Sequence, residues 1–528
     1  MSERFNLILD PWIPCLPRGS SVPVQASLRD ALVRAHEFSA VEHPSPIVTL
    51  VLHRLLSAFV TAALRGPDRL SSVEQLLDAG ALPADVLAEY MDRVGGRFDL
   101  FGSTPFMQDP SLSEKFRRDR KQPIDIEELR RETAAPTWPT LFDHTLGGTG
   151  LSPAEAAQHL LAYQWFGLDD GRGYRQSPVT AGLSAHLTGE SLHQTLVLAG
   201  LTYNSRSPIV AARFKDDAPW WELPLGSPSP IPAGWLEYCT RPWRRVLLIR
   251  GPDGLVDRAY RTYGPGLDPD WRAGLMDPWV AYVVAGESKP LKLTAERAVW
   301  RDGAALVHHF VERPGEERPY ARLAQRLGVA TDVAVYGVAA KPKNPIDTWR
   351  AERLPIGLSV LADSDLASRL QLALTVADHA AGAVEQAVYR AVREQIAPTN
   401  EADLVRPRRE PLPKLDRATE QRIWRMTKAM AATRSYWPCL DLPFRRFAQS
   451  LGKPGDSSQF ALEAWGLGVR RAAERAFSEA VLRLERPTRG GPRAVELGAE
   501  ELIWRLRHAL RPLHPEQPAT AGGKQHRG

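Results

Sequence analysis

The chain has 528 residues, of which 43% are hydrophobic and 24% are charged, and its formal net charge is +5 from 67 basic and 62 acidic residues. This length exceeds one compact core, so we expect two to four domains. The ordinary composition excludes a fibrous or wholly disordered chain, and so small a positive charge argues only weakly for a nucleic-acid partner.

The three cysteines, Cys15, Cys239 and Cys439, are far apart and form no C-x-x-C pair. The sequence therefore predicts neither a disulfide framework nor a bound metal. The first residues lack a charged segment followed by an apolar run, so we expect no secretory signal. No uncharged apolar stretch reaches the ~18 residues of a membrane span. We therefore expect a cytoplasmic protein that makes no membrane contact and needs no cofactor.

Hydrophobic patterns predict the first elements of the chain. A short apolar run at residues 5–9 indicates a strand, and Ser27 is placed to begin a helix. Residues 47–64 are apolar on nearly all sides, which predicts a buried helix. Residues 70–94 predict an amphipathic helix that ends at two glycines. Residues 111–137 are polar and charged, so we expect an exposed, mobile loop there.

Two glycine-bearing loops bracket a short predicted helix between residues 141 and 175. Their glycines are Gly147, Gly148 and Gly150 in the first loop and Gly171 and Gly173 in the second. The sequence S-P-A-E at 152–155 predicts the helix start, with serine as the N-cap, proline at the first position and glutamate at the third. Glycine lets a backbone approach another polymer closely, so the loops could meet phosphates or base edges, although ordinary surface turns also explain them.

The middle of the chain mixes strands and helices. Apolar runs predict strands at 192–198, 245–250, 280–284 and 331–338, and a helix is predicted at 313–327. The last of these strands is followed by a segment with two lysines and two prolines, which begins with Lys341, Pro342, Lys343 and Asn344. Proline fixes the backbone, so this segment is predicted to be a rigid, basic, exposed loop.

The character of the chain changes near residue 358. From there, apolar faces at helical spacing predict four long helices with short connections, at 366–392, 417–433, 457–484 and 495–511. The predicted fold class is therefore α+β, with a large irregular mixed domain at 1–357 followed by an all-α four-helix bundle at 358–514. Residues 515–528 are predicted to be a disordered tail.

Catalytic signatures are missing from the sequence. Gly452-Lys453 is followed by proline, so there is no phosphate-binding P-loop, and neither H-E-x-x-H nor G-x-S-x-G occurs. The dipeptides Asp143-His144 and Asp378-His379 are more simply explained as structural histidines. The chain is therefore predicted not to be an enzyme by itself.

Two N-terminal motifs resemble those of a known family. The first runs from Phe5-Asn6-Leu7-Ile8 through Asp10-Pro11-Trp12-Ile13-Pro14, and the second joins Phe98-Asp99-Leu100-Phe101 to Pro105-Phe106-Met107-Gln108. Both resemble CasA, the large subunit of the type I-E CRISPR surveillance complex, Cascade. The resemblance implies a mixed N-terminal domain, a C-terminal four-helix bundle and no nuclease activity. It also implies a role in reading the protospacer-adjacent motif (PAM) of duplex DNA, in starting strand opening and in docking a helicase-nuclease.

The resemblance assigns nucleic-acid contacts to both glycine loops. In the first loop, which would contact the guide RNA and the PAM-proximal region, the implied residues are Phe142, His144, Thr145, Gly147, Gly148 and Gly150. Phe142 would stack on a base, although a core aromatic also explains it. In the second loop, which would approach the PAM from the minor groove, the implied residues are Asp170, Gly171, Arg172, Gly173 and Tyr174. This loop departs from the family pattern because aspartates precede its glycines and would repel phosphates.

Two further elements are implied by position. Lys341, Pro342, Lys343 and Asn344 lie where the family has a wedge that splits the first base pairs, and a solvated basic loop is the simpler alternative. Arg258 and Arg261 are the nearest candidates for a basic finger in the minor groove. Arginines of the bundle could also steer a displaced single strand; these are Arg406, Arg408, Arg409, Arg445, Arg446, Arg470 and Arg471.

The implied partners are the backbone, small and guide-end subunits of Cascade, the CRISPR guide RNA, double-stranded target DNA and the helicase-nuclease. Two alternatives stay open from the sequence. A stand-alone DNA-binding regulator would need a helix-turn-helix with a basic recognition helix, which is not evident. A hydrolase would have to use the Asp143-His144 or Asp378-His379 pair.

Overall fold

The computed structural model divides into two compact units, residues 1–362 and 363–528. The sequence-based boundary between residues 357 and 358 lies a few residues before this division. The structure describes residues 4–67, 70–130, 150–167, 177, 182–200, 217–224, 226, 229–270, 277–285, 287–294, 297–310, 332–340, 346–357, 360–361, 363–400, 413–451, 457–482, 484 and 491–513. The predicted helix at 313–327 and the predicted tail lie outside these residues.

The N-terminal unit contains helices and small antiparallel sheets. Its strands are β1 Ile13–Pro17, β2 Val24–Ala26, β3 Phe38–Val41, β4 Ile124–Asp125, β5 Ser184–Thr188, β6 Arg244–Arg250, β7 Val256–Tyr263, β8 Tyr282–Ala285, β9 Glu287–Pro290, β10 Asp332–Ala340 and β11 Ile346–Leu354. Its helices are α1 Leu28–Val33, α2 Pro46–Leu64, α3 Leu70–Asp78, α4 Ala84–Val94, α5 Leu112–Arg118, α6 Pro153–Trp165, α7 Leu192–Leu198, α8 Trp235–Thr240 and α9 Gly303–Phe310. The sheet orders are β2-β1-β3, β11-β10-β5, β4-β7-β6 and β8-β9.

The strand predicted at residues 5–9 is wrong, because side chains fold this segment into a turn. The amide of Asn6 donates to the Asp10 carboxylate at 2.6 Å, and the amide of Ile8 donates to the Asn6 side chain at 2.9 Å. Asn6 also forms an isolated bridge with Asp99, and the amide of Leu7 donates to the Phe98 carbonyl at 2.8 Å. The two N-terminal sequence motifs therefore pack against each other.

The predicted buried helix at 47–64 is confirmed as α2. Ser45 caps its start, and Pro46 occupies the first turn, where a missing N–H costs nothing. Among the described residues it is the one helix long and apolar enough to cross a membrane, and 94% of its most apolar window is buried inside the protein. Arg54 is buried in the middle of α2 and pairs with Asp277 at 2.9 Å.

Three other predictions for the N-terminal unit are corrected. The single helix at 70–94 is two helices, α3 and α4, separated by a turn before Pro83. The loop expected at 111–137 contains α5 and β4 instead, and Leu112 and Phe116 anchor α5 because both are buried. The strand at 192–198 is the helix α7, whose N-cap Ser191 accepts a hydrogen bond from the Gln194 amide.

The C-terminal unit is all helical in its described part. Its helices are α10 Ser364–Ile396, α11 Arg417–Met430, α12 Ala432–Tyr436, α13 Asp441–Leu451, α14 Ser457–Val481 and α15 Gly491–Leu510. The long helix α10 packs against α11, α14 and α15. The predicted second helix is broken after Met430, because Ala431 adopts a left-handed conformation at φ 48°. The predicted fold class, a mixed domain followed by a helical bundle, is confirmed.

Candidate nucleic-acid interface

Described residues on both sides of the first glycine loop pair with strand β7. Of its predicted contact residues, Phe142, His144, Thr145, Gly147 and Gly148 lie outside the described residues, and only Gly150 is described. Leu151, which follows Gly150, exchanges two 2.8 Å backbone hydrogen bonds with Val256 of β7. On the other side of the loop, Asp125 of β4 pairs with Arg258 of the same strand. The chain therefore pairs with neighbouring positions of β7 both before and after residues 131–149.

Gly150 is the first described residue after the first glycine loop. Its φ is +81°, a left-handed conformation that side chains with a Cβ rarely adopt. A Cβ there would lie 3.1 Å from the Leu255 Cβ and 3.2 Å from the Val256 carbonyl oxygen. Glycine is therefore required at this position both by backbone conformation and by the close approach to β7.

Helix α6 joins the two glycine loops. Its predicted start is confirmed: the Ser152 hydroxyl accepts from the Glu155 amide, and the Glu155 carboxylate accepts from the Ser152 amide at 2.9 Å. The helix has 13 residues and a rise of about 1.5 Å per residue, so it is about 20 Å long. The described residues that border the two loops therefore lie at opposite ends of one helix.

The second glycine loop is closed at its base. Asp170, Gly171, Arg172, Gly173 and Tyr174 lie outside the described residues, but the flanking residues are in place. The Ser177 amide donates to the Gly167 carbonyl at 2.8 Å, and the Ser177 hydroxyl donates to the Trp165 carbonyl at 2.7 Å. A Cβ on Gly167 would lie 2.8 Å from an Arg244 guanidinium nitrogen, so the loop base rests directly on this arginine.

The two candidates for the basic finger have different environments. Arg261 donates to the Glu128 carboxylate and to the Tyr163 hydroxyl, both at 3.0 Å, and so ties β7 to α6. Arg258 is exposed on β7, and the structure gives its side chain no ion pair within the described residues. The exposed candidate near the residues that flank the first loop is therefore Arg258, whereas Arg261 is engaged within the fold.

The predicted wedge lies between the two paired strands of a long hairpin. Lys341, Pro342, Lys343 and Asn344 lie outside the described residues, between Ala340 of β10 and Ile346 of β11, which pair with each other. Strand β5 pairs with β10 only from Asp332 to Tyr336. The hairpin thus extends about four residues, or about 13 Å, beyond the third strand of its sheet.

Burial shifts the pKa of several titratable side chains among the described residues. No three His, Cys, Asp or Glu side chains among them come together as metal ligands. Burial raises the pKa of Cys15 and of Cys239 to about 12, so both remain thiols. Burial lowers the pKa of His53 to about 4, and it also lowers the pKa of His186 well below its ordinary value, so both imidazoles are neutral near pH 7.

Two residues that the sequence alone did not single out organise the site. Gln164 of α6 donates to the Met107 carbonyl at 2.9 Å and accepts from the Arg244 amide at 2.8 Å. It therefore connects the second N-terminal motif, the start of β6 and the base of the second loop. The only signal for Gln164 in the sequence is its place at the end of α6, and Arg244 carries none.

In the C-terminal unit, Arg445, Arg446, Arg470 and Arg471 are exposed, and Arg406, Arg408 and Arg409 lie outside the described residues.

The architecture is that of CRISPR-associated proteins of known structure. CasA (Cse1) from Thermus thermophilus matches with a TM-score of 0.74 and 25% identity, over 96% of this chain and 100% of that chain. Cse1 from Acidimicrobium ferrooxidans matches with a TM-score of 0.75 and 23% identity, over 97% and 99%. A chain of a CRISPR RNA-guided surveillance complex matches with a TM-score of 0.68 and 23% identity, over 95% and 99%. At 23% identity the last two show the fold alone.

Sequence comparison gives the family. The family model of the CRISPR-associated protein Cse1 matches residues 6–476. The curated CasA/Cse1 protein of Thermus thermophilus is 30% identical over 500 residues, which are 90% of this chain and 92% of that protein. The chain belongs to the Cse1 family, also called CasA, and the resemblance carried by the two N-terminal motifs is confirmed.

Proposed function

We propose that this chain is the non-catalytic large subunit of a type I-E CRISPR surveillance complex, where it recognises the PAM in double-stranded DNA. Membership of the Cse1 family over residues 6–476 carries this proposal. A match over 95% of the chain to a subunit of a "CRISPR RNA-guided surveillance complex" supports it. The proposed partners are the backbone, small and guide-end subunits, the CRISPR guide RNA, the target duplex and the helicase-nuclease that the subunit helps recruit.

The proposed wedge is the tip of the β10–β11 hairpin. Lys341, Pro342, Lys343 and Asn344 would enter the duplex next to the PAM, and rigid side chains between base steps would unstack them. The lysines would hold the separated phosphates. Support comes from the strands on either side, which are paired up to Ala340 and Ile346 and carry the tip beyond the sheet. Paired strands on both sides would resist bending when these residues press on a base pair.

The second glycine loop is proposed to face the minor groove beside the PAM. The closed base at Gly167 and Ser177 limits the positions that Gly171 and Gly173 can reach. Minor-groove edges distinguish little beyond A·T from G·C, so readout through backbone groups would tolerate several PAM sequences. Arg172 and Tyr174 could add phosphate contacts that offset the repulsion from Asp170.

The first glycine loop and Arg258 are proposed to act side by side. Val256, which holds the end of the loop, and Arg258 are two residues apart on β7, a separation of about 7 Å. A loop that contacts the guide RNA through Phe142, His144, Thr145 and the glycines would therefore leave the protein next to an exposed guanidinium. Arginine suits a narrow minor groove, so Arg258 is the proposed finger. Arg261 is proposed only to hold the strand beneath it.

Sequence specificity is proposed to lie in pairing between guide RNA and target, as in single-protein RNA-guided effectors, from which we argue by analogy. The RNA–DNA hybrid replaces a DNA duplex of roughly equal stability, so strand opening needs little net free energy once it has begun. The contribution of this subunit is then nucleation at the PAM, which requires positioned binding groups and no catalytic residue.

A binding titration tests the proposed function. The guide-RNA complex assembled without this subunit is mixed with a matched duplex, and the chain is titrated in at fixed salt with a permissive or a scrambled PAM. We expect tight target binding only with the chain and the permissive PAM. Failure to join the complex or to change target affinity for any PAM would refute the proposal. Replacing Lys341, Pro342 and Lys343 together by alanine should reduce strand opening, measured by permanganate reactivity of unpaired thymines.

A further inference from the structure

A cavity of about 370 Å³ lies beside the base of the second glycine loop. Its wall includes Arg97, Phe106, Met107, Trp220, Arg244 and Arg245. The cavity adjoins the loop because Arg244, which lines it, also contacts Gly167. This volume falls within the range of roughly 300–1,000 Å³ that small-molecule sites occupy.

The charge of the cavity wall favours an anion. Three arginines, Arg97, Arg244 and Arg245, line it together with one carboxylate, Asp109. Asp109 pairs with Arg245 at 2.5 Å, so its charge is already compensated. Arg97 donates one long hydrogen bond, 3.4 Å to the Leu223 carbonyl, and no carboxylate of the described residues pairs with it. The guanidinium of Arg97 is therefore available to a ligand in the cavity.

The cavity also has an aromatic face without an aromatic partner. Trp221 belongs to the core, where its ring packs against Phe59 and Phe98. Its neighbour Trp220 is half-buried and makes no ring contact with another aromatic side chain of the described residues. The Trp220 amide donates to the Thr240 hydroxyl at 2.7 Å, which fixes the backbone that carries the ring. A flat π-face of this kind is suited to stacking against a planar ring.

The backbone around the cavity is held in an uncommon conformation. Met107 has φ 57°, in the left-handed region that non-glycine residues seldom adopt. The Met107 carbonyl accepts from Gln164, and the Gln108 side chain donates to the Leu100 carbonyl at 2.8 Å. Such conformations persist only where surrounding contacts impose them, and they concentrate at ligand sites. The second N-terminal motif therefore forms a fixed wall of the cavity.

From these features we propose that the cavity binds a nucleoside monophosphate unit, with its base stacked on Trp220 and its phosphate on Arg97. The unit would be one nucleotide of a strand that passes the second glycine loop, or a free nucleotide. The first source rests on the proposed function, since it requires a nucleic acid beside that loop. Because Arg97 and Trp220 both line the cavity, the two groups of such a ligand have separate partners there.

Calorimetric titration of the full chain tests the proposal. The ligands are the four nucleoside 5′-monophosphates, inorganic phosphate and a short single-stranded oligothymidylate. The variants are Arg97→Ala, Arg97→Lys and Trp220→Leu, and the matched control is Arg93→Ala, an arginine one helical turn earlier that does not line the cavity. We expect binding of a nucleotide, of the oligothymidylate or of both, weakened about 10- to 100-fold by Arg97→Ala, which removes a charge-assisted contact. Arg97→Lys should restore part of the affinity, and Arg93→Ala should leave it unchanged.

The outcomes separate the two sources and the two proposals. Binding of free nucleotides that depends on Arg97 and Trp220 supports a nucleotide site, and such binding of the oligothymidylate alone supports a strand as the source. The proposal is overturned if the chain binds neither a nucleotide nor the oligothymidylate, or if Arg97→Ala leaves such binding intact. It is also overturned if inorganic phosphate binds as tightly as a nucleotide. If the chain restores PAM-dependent target binding but binds no nucleotide, only the cavity proposal fails. If it binds nucleotides but does not join the complex, only the proposed function fails. Arg97→Ala should melt like the wild type, because no ion pair is lost.

Discussion

The buried ion pair between Arg54 and Asp277 should be the most sensitive contact in the N-terminal unit. The two Arg54 Nη atoms lie 3.2 and 2.9 Å from the Asp277 carboxylate oxygens, and the two side chains are only 3% and 0% exposed. The same carboxylate accepts from the Tyr238 hydroxyl and the Trp279 amide, each at 2.8 Å. Burial acts to lower the pKa of Arg54, but the Asp277 charge raises it above its ordinary value.

Replacing Asp277 by asparagine removes the charge and nearly keeps the shape. Arg54 would then be a buried cation without a counter-ion, which costs about 3–5 kcal/mol of unfolding free energy. That is a large share of the roughly 5–15 kcal/mol that keeps a typical domain folded. Hydrogen exchange of peptides covering α2 and α8, read by mass spectrometry under native conditions, measures this loss in the unit concerned.

Two comparisons make the test decisive. Glu37→Gln breaks the exposed Arg34–Glu37 pair of the same unit and should leave exchange unchanged. The double variant Arg54→Met, Asp277→Leu should lose less unfolding free energy than Asp277→Asn, because no unpaired charge stays buried. If Asp277→Asn instead exchanges like the wild type, the electrostatic argument for this pair is wrong.

Three further predictions concern the loop roots and pH. Ser152→Ala should cost about 1 kcal/mol of stability through the lost N-cap of α6, measured by urea unfolding, and Ser152→Asp should not. Gly150→Val should weaken target binding by the assembled complex while the bundle unfolds normally, because φ +81° and the contact with Val256 exclude a side chain; equal affinity would contradict this. The folded-state pKa of His53 is about 4, below its ordinary 6.5, so its contribution of about 3 kcal/mol is present above pH 6.5 and is lost as the pH falls towards 4. Urea unfolding from pH 7 to pH 4 should show this loss, and His53→Phe should reduce it without abolishing it, because the pKa of buried His186 is also lowered.

Local sequence patterns correctly predicted the elements that residues nearby in the chain determine. The buried helix α2 follows from a long apolar run after Ser45 and Pro46, and the start of α6 follows from the S-P-A-E sequence. Residues 192–198 (L-H-Q-T-L-V-L) were predicted wrongly because a seven-residue segment with four apolar residues shows no clear period, and the cap at Ser191 decides for a helix. The strand predicted at residues 5–9 was wrong for a related reason. The side chains of Asn6 and Asp10 accept hydrogen bonds from nearby backbone amides, which therefore do not pair with a neighbouring strand.

The placement of the site depends on contacts that local patterns do not contain. Arg258 and Arg261 looked equivalent in the sequence, three residues apart on one strand. The Glu128 carboxylate, 133 positions away in the chain, separates them because it binds Arg261. Gln164 likewise joins Met107 and Arg244, residues distant in sequence. Such pairings arise from the topology of the β4-β7-β6 sheet and from the packing of α6 beside it.

These contacts also suggest how the two glycine loops could serve the proposed function. The Arg261–Glu128 pair and the Leu151–Val256 bridge fix both ends of the first loop on β7, and the Gly167–Ser177 hydrogen bond closes the second. Preorganised ends reduce the conformational entropy that a loop loses on binding. If strand opening is nearly balanced in free energy, this smaller loss of loop entropy contributes more to target binding than any single contact to a base. Loosening a loop root should therefore weaken binding to every PAM alike, whereas changing a residue within a loop should alter the preference among PAMs.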